Sequence, residues 1–138
     1  MATLFTDKWM EQFGKAWNSD KEMVANLASI GFDSNIGYGL IGEPHPRGVL
    51  IVQAGQVTFA GAYTTQALNW DLRANLEDWK TWIEKGFVLA RLGITVATGK
   101  LKFVVGDYRR MLRTPSMAGP FLHSFELMSK VKTDFKVT

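Results

Sequence analysis

The most constraining feature of this sequence is a change of hydrophobic period that occurs without a linker between residues 67 and 86. The stretch ALNWDLRAN alternates between apolar and polar residues, which is typical of a strand with one buried face. The buried face is predicted to hold Leu68, Trp70, Leu72 and Ala74, and the solvent face Asn69, Asp71 and Arg73. The next stretch, NLEDWKTWIEKG, has helical spacing, with Asn75 as predicted N-cap and Gly86 as its end. A strand that leads directly into an amphipathic helix indicates helices packed on a sheet.

Two amphipathic helices are predicted at the beginning of the chain. Residues 4–18 place Trp9, Phe13 and Trp17 on one helical face. Ser19 and Glu22 fit a capping box that opens a second helix, and Gly31 is its predicted end. The apolar faces of both helices must be buried against another element.

Further strands supply that surface. Short apolar or alternating runs predict strands at residues 36–40, 48–53, 57–61 and 99–105. The last belongs to GKLKFVVGDYRRM, where Gly106 ends the strand and Asp107 can cap a basic helix that begins at Tyr108. The sequence therefore predicts an α+β fold, with a five-stranded, mostly antiparallel sheet and helices packed on one face.

Two more helices complete the predicted order. FVLARLGITVATG is predicted to be a short buried helix between the helix at 75–86 and the last strand. The final helix carries Met117, Phe121 and Phe125, and its start is left open by Pro115 and Pro120.

Composition bounds the class of protein. The 138 residues carry a net charge of +3 and no Cys, which excludes disulfides and thiolate metal sites. We expect one domain over residues 1–138 and a cytoplasmic location, because MATLFTDKWMEQF contains acidic residues and no long apolar run. From Gly99 onward there are eight Lys/Arg and three Asp/Glu, so this third could touch an anionic partner such as a membrane surface, or be a solvated basic face. No nucleic-acid partner is expected from so small a net charge.

Motifs for common chemistries are weak. GYGLIG at residues 37–42 has the letters of a dinucleotide-binding loop, but the prolines of EPHPRG forbid the helix that would hold a pyrophosphate. Its glycines instead predict a strand face that a helix or a ligand approaches closely. His45 and His123 lack the spacing of a zinc site, and no G-x-S-x-G elbow is present. We therefore expect no metal, no cofactor and no catalytic residue.

Large side chains are frequent, with five Trp and nine Phe in the chain. Many of them fall on the inner faces of predicted helices, as do several methionines, which adapt easily to varied neighbours. Two interpretations stay open: these side chains fill a solid core, or they wall an apolar cavity.

Several of these segments together resemble the sterol-transfer domain of the sterol carrier protein type-two family. A strand enters a capped helix through LEDW at 76–79, a short helix follows, and GKLKF at 99–103 leads to GD at 106–107 and a basic helix. The likeness covers about residues 35–131. It implies a five-stranded sheet, helices over one face, and between them an apolar tunnel for fatty acids, fatty acyl-CoA, sterols or similar lipids.

The resemblance also implies which residues meet the ligand. A non-enzymatic carrier or store of this kind would line its tunnel with Trp70, Leu72, Trp79, Trp82, Ile83, Leu101, Phe103, Met111, Met117, Phe121, Phe125 and Met128. Near its mouth, Arg109, Arg110 and Arg113 would meet a carboxylate or phosphate head, or they are merely solvated.

Two other functions remain open from the sequence. The same fold could serve as a protein-interaction or accessory module, with exposed tryptophans at an interface. A small enzyme acting on a hydrophobic substrate would need a polar side chain inside the cavity, for which Asp71, His123 and Glu126 are the candidates.

Overall fold

The computed structural model describes residues 1–137, and its helices and strands follow the predicted order. The elements are β1 (Ala2–Thr3), α1 (Asp7–Ser19), α2 (Lys21–Ser29), β2 (Ser34–Leu40), β3 (Gly48–Gln53), β4 (Gln56–Ala62), β5 (Trp70–Ala74), α3 (Leu76–Lys85), α4 (Leu89–Ala97), β6 (Leu101–Val105), α5 (Tyr108–Leu112), α6 (Pro115–Ser129) and β7 (Thr133–Asp134). Within this range, no helix is both long and apolar enough to cross a membrane.

Five strands form one sheet in the order β4-β3-β2-β5-β6. The pairs β3–β4, β2–β3 and β5–β6 are antiparallel, whereas β2 and β5 are parallel, with Ile36 opposite Trp70. The parallel pair arises because the β3–β4 hairpin lies between β2 and β5 in sequence, so the chain must cross back before β5 joins. The predicted α+β fold with a mostly antiparallel sheet is confirmed.

The chain ends differ from the prediction. Leu4 and Phe5 are buried but lie before α1, which begins at Asp7 and not at residue 4. The two-residue strands β1 and β7 pair in parallel and bring the two ends of the described chain together. Strands this short carry no periodicity, so nothing in the sequence indicated them.

Helix caps are partly as predicted. The Asp107 carboxylate accepts from the backbone N–H of Arg110 at 3.1 Å, as expected. The cap of α2 is Asp20 and not Ser19, because the Asp20 Oδ1 accepts from the N–H of Met23 at 3.0 Å. Ser19 instead donates back to a carbonyl of α1, and Asn75 stands at the N-cap position of α3 without a side-chain cap bond. Neighbouring capping residues compete, and the connection between α1 and α2 is too short for both.

An aromatic cluster fills half of the space between the sheet and its helices. Trp79 of α3 is fully buried, and its indole N–H donates to the carbonyl of Gly39 at 2.8 Å. Around it, ring centroids lie 5.1 to 6.2 Å apart, an aromatic spacing typical of packed cores. The cluster consists of Phe5, Trp9, Phe13, Tyr38, Trp79, Trp82, Phe87 and Phe125. This half of the interior is solid core.

The outer face of β5 is buried, which corrects the prediction of a wet face. Asp71 and Arg73 are only 4% and 5% exposed. Arg73 donates from Nε and Nη2 to both carboxylate oxygens of Asp71, at 2.6 and 2.9 Å. It also donates to the carbonyl of Glu43 in the β2–β3 loop, so this loop covers the pair. The alternation is correct for Trp70, Leu72 and Ala74, with a loop in place of water on the polar side. It is wrong for Leu68, which precedes β5 and lies with Pro46 against Gly37 on the loop-covered side.

The glycines of β2 make this cover possible. A Cβ on Gly39 would lie 2.8 Å from the Cα of Pro46, and one on Gly37 would touch the Pro46 ring. The β2–β3 loop, and not the predicted helix, therefore makes the close approach to GYGLIG.

Helix α4 is far more exposed than predicted. Among its described side chains only Leu92 and Thr95 are buried, and Ile94 is 71% exposed. The helix lies beside the edge strand β6, and no described element covers its other side. Apolar composition predicted burial here, but the position at the sheet edge prevents it.

Gly106 tests how closely the end of β6 packs against Trp70 of β5. Its φ of 112° is unfavourable for any other residue, and an added Cβ would lie 2.3 Å from the Trp70 ring. We expect Gly106→Ala to destabilise the protein by about 1–3 kcal/mol from backbone strain alone. Urea unfolding measures the change, and Gly93→Ala is the matched control.

Gly93 lies inside α4 with no side chain or backbone of another segment within 4 Å of the position of an added Cβ. Its replacement by alanine is expected to stabilise the protein by about 0.5–1 kcal/mol, because glycine costs helix entropy. If both substitutions changed the free energy of unfolding in the same direction, the close contact between Gly106 and the Trp70 ring would be contradicted.

Candidate functional site

A small apolar cavity lies in the other half of the interior, between the sheet and the helices α2, α5 and α6. Its volume is about 50 Å³. Its walls are Trp17, Leu27, Phe32, Ile36, Tyr38, Trp70, Leu72, Met111, Met117, Pro120, Phe121 and Ser124. The wall is apolar apart from a few hydrogen-bonding groups, so a hydrocarbon could be held there without losing polar contacts.

Some of the predicted tunnel residues meet at this cavity. Those that line it are Trp70, Leu72, Met111, Met117 and Phe121. They come from β5, α5 and the first half of α6, which are far apart in sequence and converge only in the fold. Their role in binding a ligand stays a prediction.

Other predicted tunnel residues lie elsewhere. Trp79, Trp82 and Phe125 belong to the aromatic cluster, and Ile83, Leu101 and Met128 are buried in the core. Phe103 stands behind the cavity wall, with its ring centroid 6.0 Å from that of Phe121 and 6.1 Å from that of Trp70. These side chains support the cavity without lining it.

Several lining residues were not among the predicted tunnel residues: Trp17, Leu27, Phe32, Ile36, Tyr38, Pro120 and Ser124. Most are on the apolar faces of α1, α2 and β2, which the sequence did identify as buried faces. The sequence could not show that α2 packs against α6 and so forms part of the cavity wall.

Most polar groups in the wall already have partners. The indole N–H of Trp17 donates to the Gly55 carbonyl at 2.9 Å, and that of Trp70 to the Ser34 hydroxyl at 3.3 Å. The Ser124 hydroxyl donates to the carbonyl of Phe121. These bonds leave the wall with little free hydrogen-bonding capacity.

The Tyr38 hydroxyl is the exception. No described residue hydrogen-bonds it, yet every fully enclosed side-chain nitrogen or oxygen among the described residues has a partner. Tyr38 lines the cavity, so a ligand held there would lie beside its side chain. Burial of the ring raises the pKa of Tyr38 above its usual range, so the group stays a neutral donor.

The cavity is too small for a lipid as it stands. Pockets that enclose a drug-sized ligand measure roughly 300–1,000 Å³. The wall has the fewest helical hydrogen bonds at α5 and the first half of α6. Helix α5 has only five residues, and Pro120 has no N–H to donate within α6. Met111 and Met117, two flexible thioether side chains, also stand there. This part of the wall is the one that could move outward.

The three arginines of the predicted head-group site lie on or just after α5, next to Met111. Arg109, Arg110 and Arg113 are all exposed, and within residues 1–137 none of them forms an ion pair. Arg109 donates to the Tyr108 hydroxyl at 3.4 Å, which raises the pKa of its guanidinium. These cations are available to a ligand or to solvent.

The polar candidates for an enzyme lie outside the cavity. His123 Nε2 is 2.5 Å from Asp20 Oδ2, and its Nδ1 is 3.0 Å from Glu126 Oε2, so the ring ties α6 to the start of α2. The N–H bond from Met23 and then the His123 ring hold the pKa of Asp20 below its usual value. Asp71 is committed to Arg73 on the opposite face of the sheet. None of these side chains touches the cavity wall.

Solved structures similar to this chain share one fold. Sterol carrier protein 2 matches with a TM-score of 0.70 and 17% identity, covering 94% of this chain and 99% of that one. A conserved hypothetical protein from Thermus thermophilus, suggested to be a sterol carrier protein, matches with a TM-score of 0.69 and 16% identity over 95% and 91% of the two chains. The UbiJ-SCP2 ubiquinone synthesis protein matches with a TM-score of 0.55 and 11% identity over 86% and 90%.

No protein-family model and no curated protein matches this sequence. The structural likeness spans nearly the whole chain at low identity, so it establishes the fold. The chain has the sterol carrier protein 2 fold, as its sequence segments indicated.

Proposed function

From the sterol carrier protein 2 fold, we propose that this protein binds a hydrophobic small molecule and carries or stores it inside the cell without chemical change. The ligand class is fatty acids, fatty acyl-CoA, sterols or similar lipids. The observation that carries the proposal is the apolar cavity between the sheet and the helices α2, α5 and α6.

Binding of a lipid requires the cavity to grow beyond its volume of about 50 Å³. Each Å² of apolar ligand surface removed from water contributes about 25 cal/mol, so a lipid-sized guest supplies a large driving force. The cost is displacement of α5 and the first half of α6, which contribute the wall residues Met111, Met117 and Phe121. The part of the cavity wall formed by the sheet, which includes Ile36 and Leu72, keeps its position.

The presence of Tyr38 in the cavity wall suggests what the inner end of the ligand is like. A neutral hydroxyl or carbonyl could pair with the Tyr38 hydroxyl, whereas a carboxylate would lose too much hydration in so apolar a place. An acidic head would instead stay at the rim, where Arg109, Arg110 and Arg113 are exposed. The proposed ligand site thus has a neutral inner end and a cationic rim.

The test compares two fluorescent ligands, a sterol with a free hydroxyl and a polyene fatty acid. Saturable binding of at least one is expected. Tyr38→Phe should weaken sterol binding about fivefold, the worth of one neutral hydrogen bond, and leave fatty-acid binding nearly unchanged. Fluorescence titration measures both dissociation constants.

The control is Tyr63→Phe, since Tyr63 stacks on His45 away from the cavity. Its affinities should equal those of the unaltered protein. The proposed function fails if neither ligand binds saturably. The Tyr38 assignment alone fails if both tyrosine variants behave alike.

A second function has its own test, because the cavity is small and a ubiquinone synthesis protein has the same fold. We infer an accessory, protein-binding role as the alternative. If purified protein carries no lipid, binds neither fluorescent ligand and elutes in a larger complex from its host extract, the accessory role is favoured. Asp71, His123 and Glu126 give no such support to an enzyme, since they lie outside the cavity.

A further inference from the structure

An apolar stripe without a partner runs along α4. Ala90, Ile94 and Ala97 recur at intervals of four and three residues, which places them on one helical face, and all three are exposed. Ala97 and Val104 of β6 line the same shallow groove, so the stripe continues onto the edge of the sheet. Ile94 is 71% and Val104 58% exposed. Within the described residues, no element covers them.

Cations border this stripe. Arg91, Lys100 and Lys102 are exposed beside it, and residues 87–106 contain no Asp or Glu. Lys102 lines the groove shared by Ala97 and Val104. Asp78 of α3 lies across a neighbouring groove from Arg91 and Lys100 but forms an ion pair with neither. We call the set Ala90, Ile94, Ala97, Val104, Arg91, Lys100 and Lys102 the α4–β6 face.

We propose that the α4–β6 face docks the protein on the surface of an anionic lipid bilayer. Aliphatic side chains that protrude among cations enter the head-group layer, while the cations meet lipid phosphates. A second copy of this chain fits poorly, because pairing two such faces would oppose like charges. The inference goes beyond the proposed function, since it concerns a surface and not the ligand site.

The face is close to the cavity. Phe103 of β6 contacts the cavity residues Trp70 and Phe121 from behind, and Tyr108 packs on Phe103 with ring centroids 5.6 Å apart. A protein docked through β6 and α4 would therefore hold α5, the movable part of the cavity wall, near the bilayer. This geometry suits exchange of a hydrophobic ligand at a membrane.

The test is flotation of purified protein, without added ligand, with vesicles of phosphatidylcholine alone or mixed equally with phosphatidylglycerol. Binding is expected only with the mixed vesicles, and about 0.5 M salt should release the protein because charge is screened. Arg91→Ala and Lys102→Ala should each lower the partition coefficient about fivefold. Ile94→Ser should lower it about twofold to fivefold.

The matched controls are Lys8→Ala and Lys15→Ala on α1, and Ile30→Ser at the end of α2, all at exposed positions. They should leave the partition coefficient within about twofold of the starting value. Equal losses in the controls, or equal binding to neutral vesicles, would overturn the proposal. So would vesicle-free dimers that Ile94→Ser dissolves, which would assign the face to a second copy.

The two proposals can fail separately. Variants of the α4–β6 face should bind fluorescent ligands from solution like the unaltered protein, because none of the altered residues lines the cavity. Lost flotation with normal ligand binding supports docking. Normal flotation with no ligand binding refutes the carrier function alone.

Discussion

Replacing Arg73 by methionine is expected to destabilise the protein by about 3–5 kcal/mol, because it breaks a buried ion pair. Arg73 is 5% exposed, and it donates to both oxygens of Asp71 and to the carbonyl of Glu43. Methionine fills similar volume but leaves the Asp71 carboxylate charged, buried and without its partner. Urea unfolding followed by circular dichroism gives the change in free energy.

The double variant Asp71→Val with Arg73→Met separates the two causes. An apolar pair of similar size removes the buried charge, so we expect it to recover more than half of the lost stability. Val is compatible with a strand at this position. If the double variant is no more stable than Arg73→Met, the cost comes from the lost loop contacts, and the buried ion pair is not what Arg73 stabilises.

Leu72→Trp is expected to abolish uptake of either fluorescent ligand. Leu72 lies on β5 at the floor of the cavity, and the sheet beneath it cannot move aside. The larger indole would extend into the cavity and occupy the position that the ligand needs. Overpacking should cost about 1–3 kcal/mol, which unfolding measurements can separate from loss of binding.

A pair of methionine variants tests the same wall in the opposite direction. Met117→Ala enlarges the cavity and should speed ligand uptake, since less of the wall has to be displaced. Met128→Ala is the control, because Met128 is fully buried in the same helix but does not line the cavity. Stopped-flow fluorescence measures the rates. Faster uptake in the Met128 variant, or normal binding by Leu72→Trp, would show that ligands do not enter this cavity.

Local signals predicted the elements well because each depends on neighbours in sequence. The alternation around Trp70 and Leu72 gave β5, and the Asp107 carboxylate caps α5 as expected. The cap of α2 moved by one residue to Asp20, since two adjacent side chains can serve and local competition decides. Such shifts alter a boundary without altering the fold.

The candidate site was predicted only in part, for a different reason. Periodicity shows that a side chain faces inward but not what it meets there, so Trp79 and Leu72 were indistinguishable. In the fold Trp79 is packed on all sides, and Leu72 borders open space. Likewise, apolar composition could not show that α4 lies at the sheet edge with Ile94 exposed.

The sequence by itself determined the order of helices and strands, the fold they build and the absence of a recognisable catalytic motif, because these follow from residue spacing along the chain. Tertiary structure alone decided that a loop buries the Asp71–Arg73 pair, that aromatic rings fill one half of the interior and that a small cavity remains in the other. Those features depend on the distance between segments remote in sequence, such as β2, α2 and α6, and no local pattern encodes that distance.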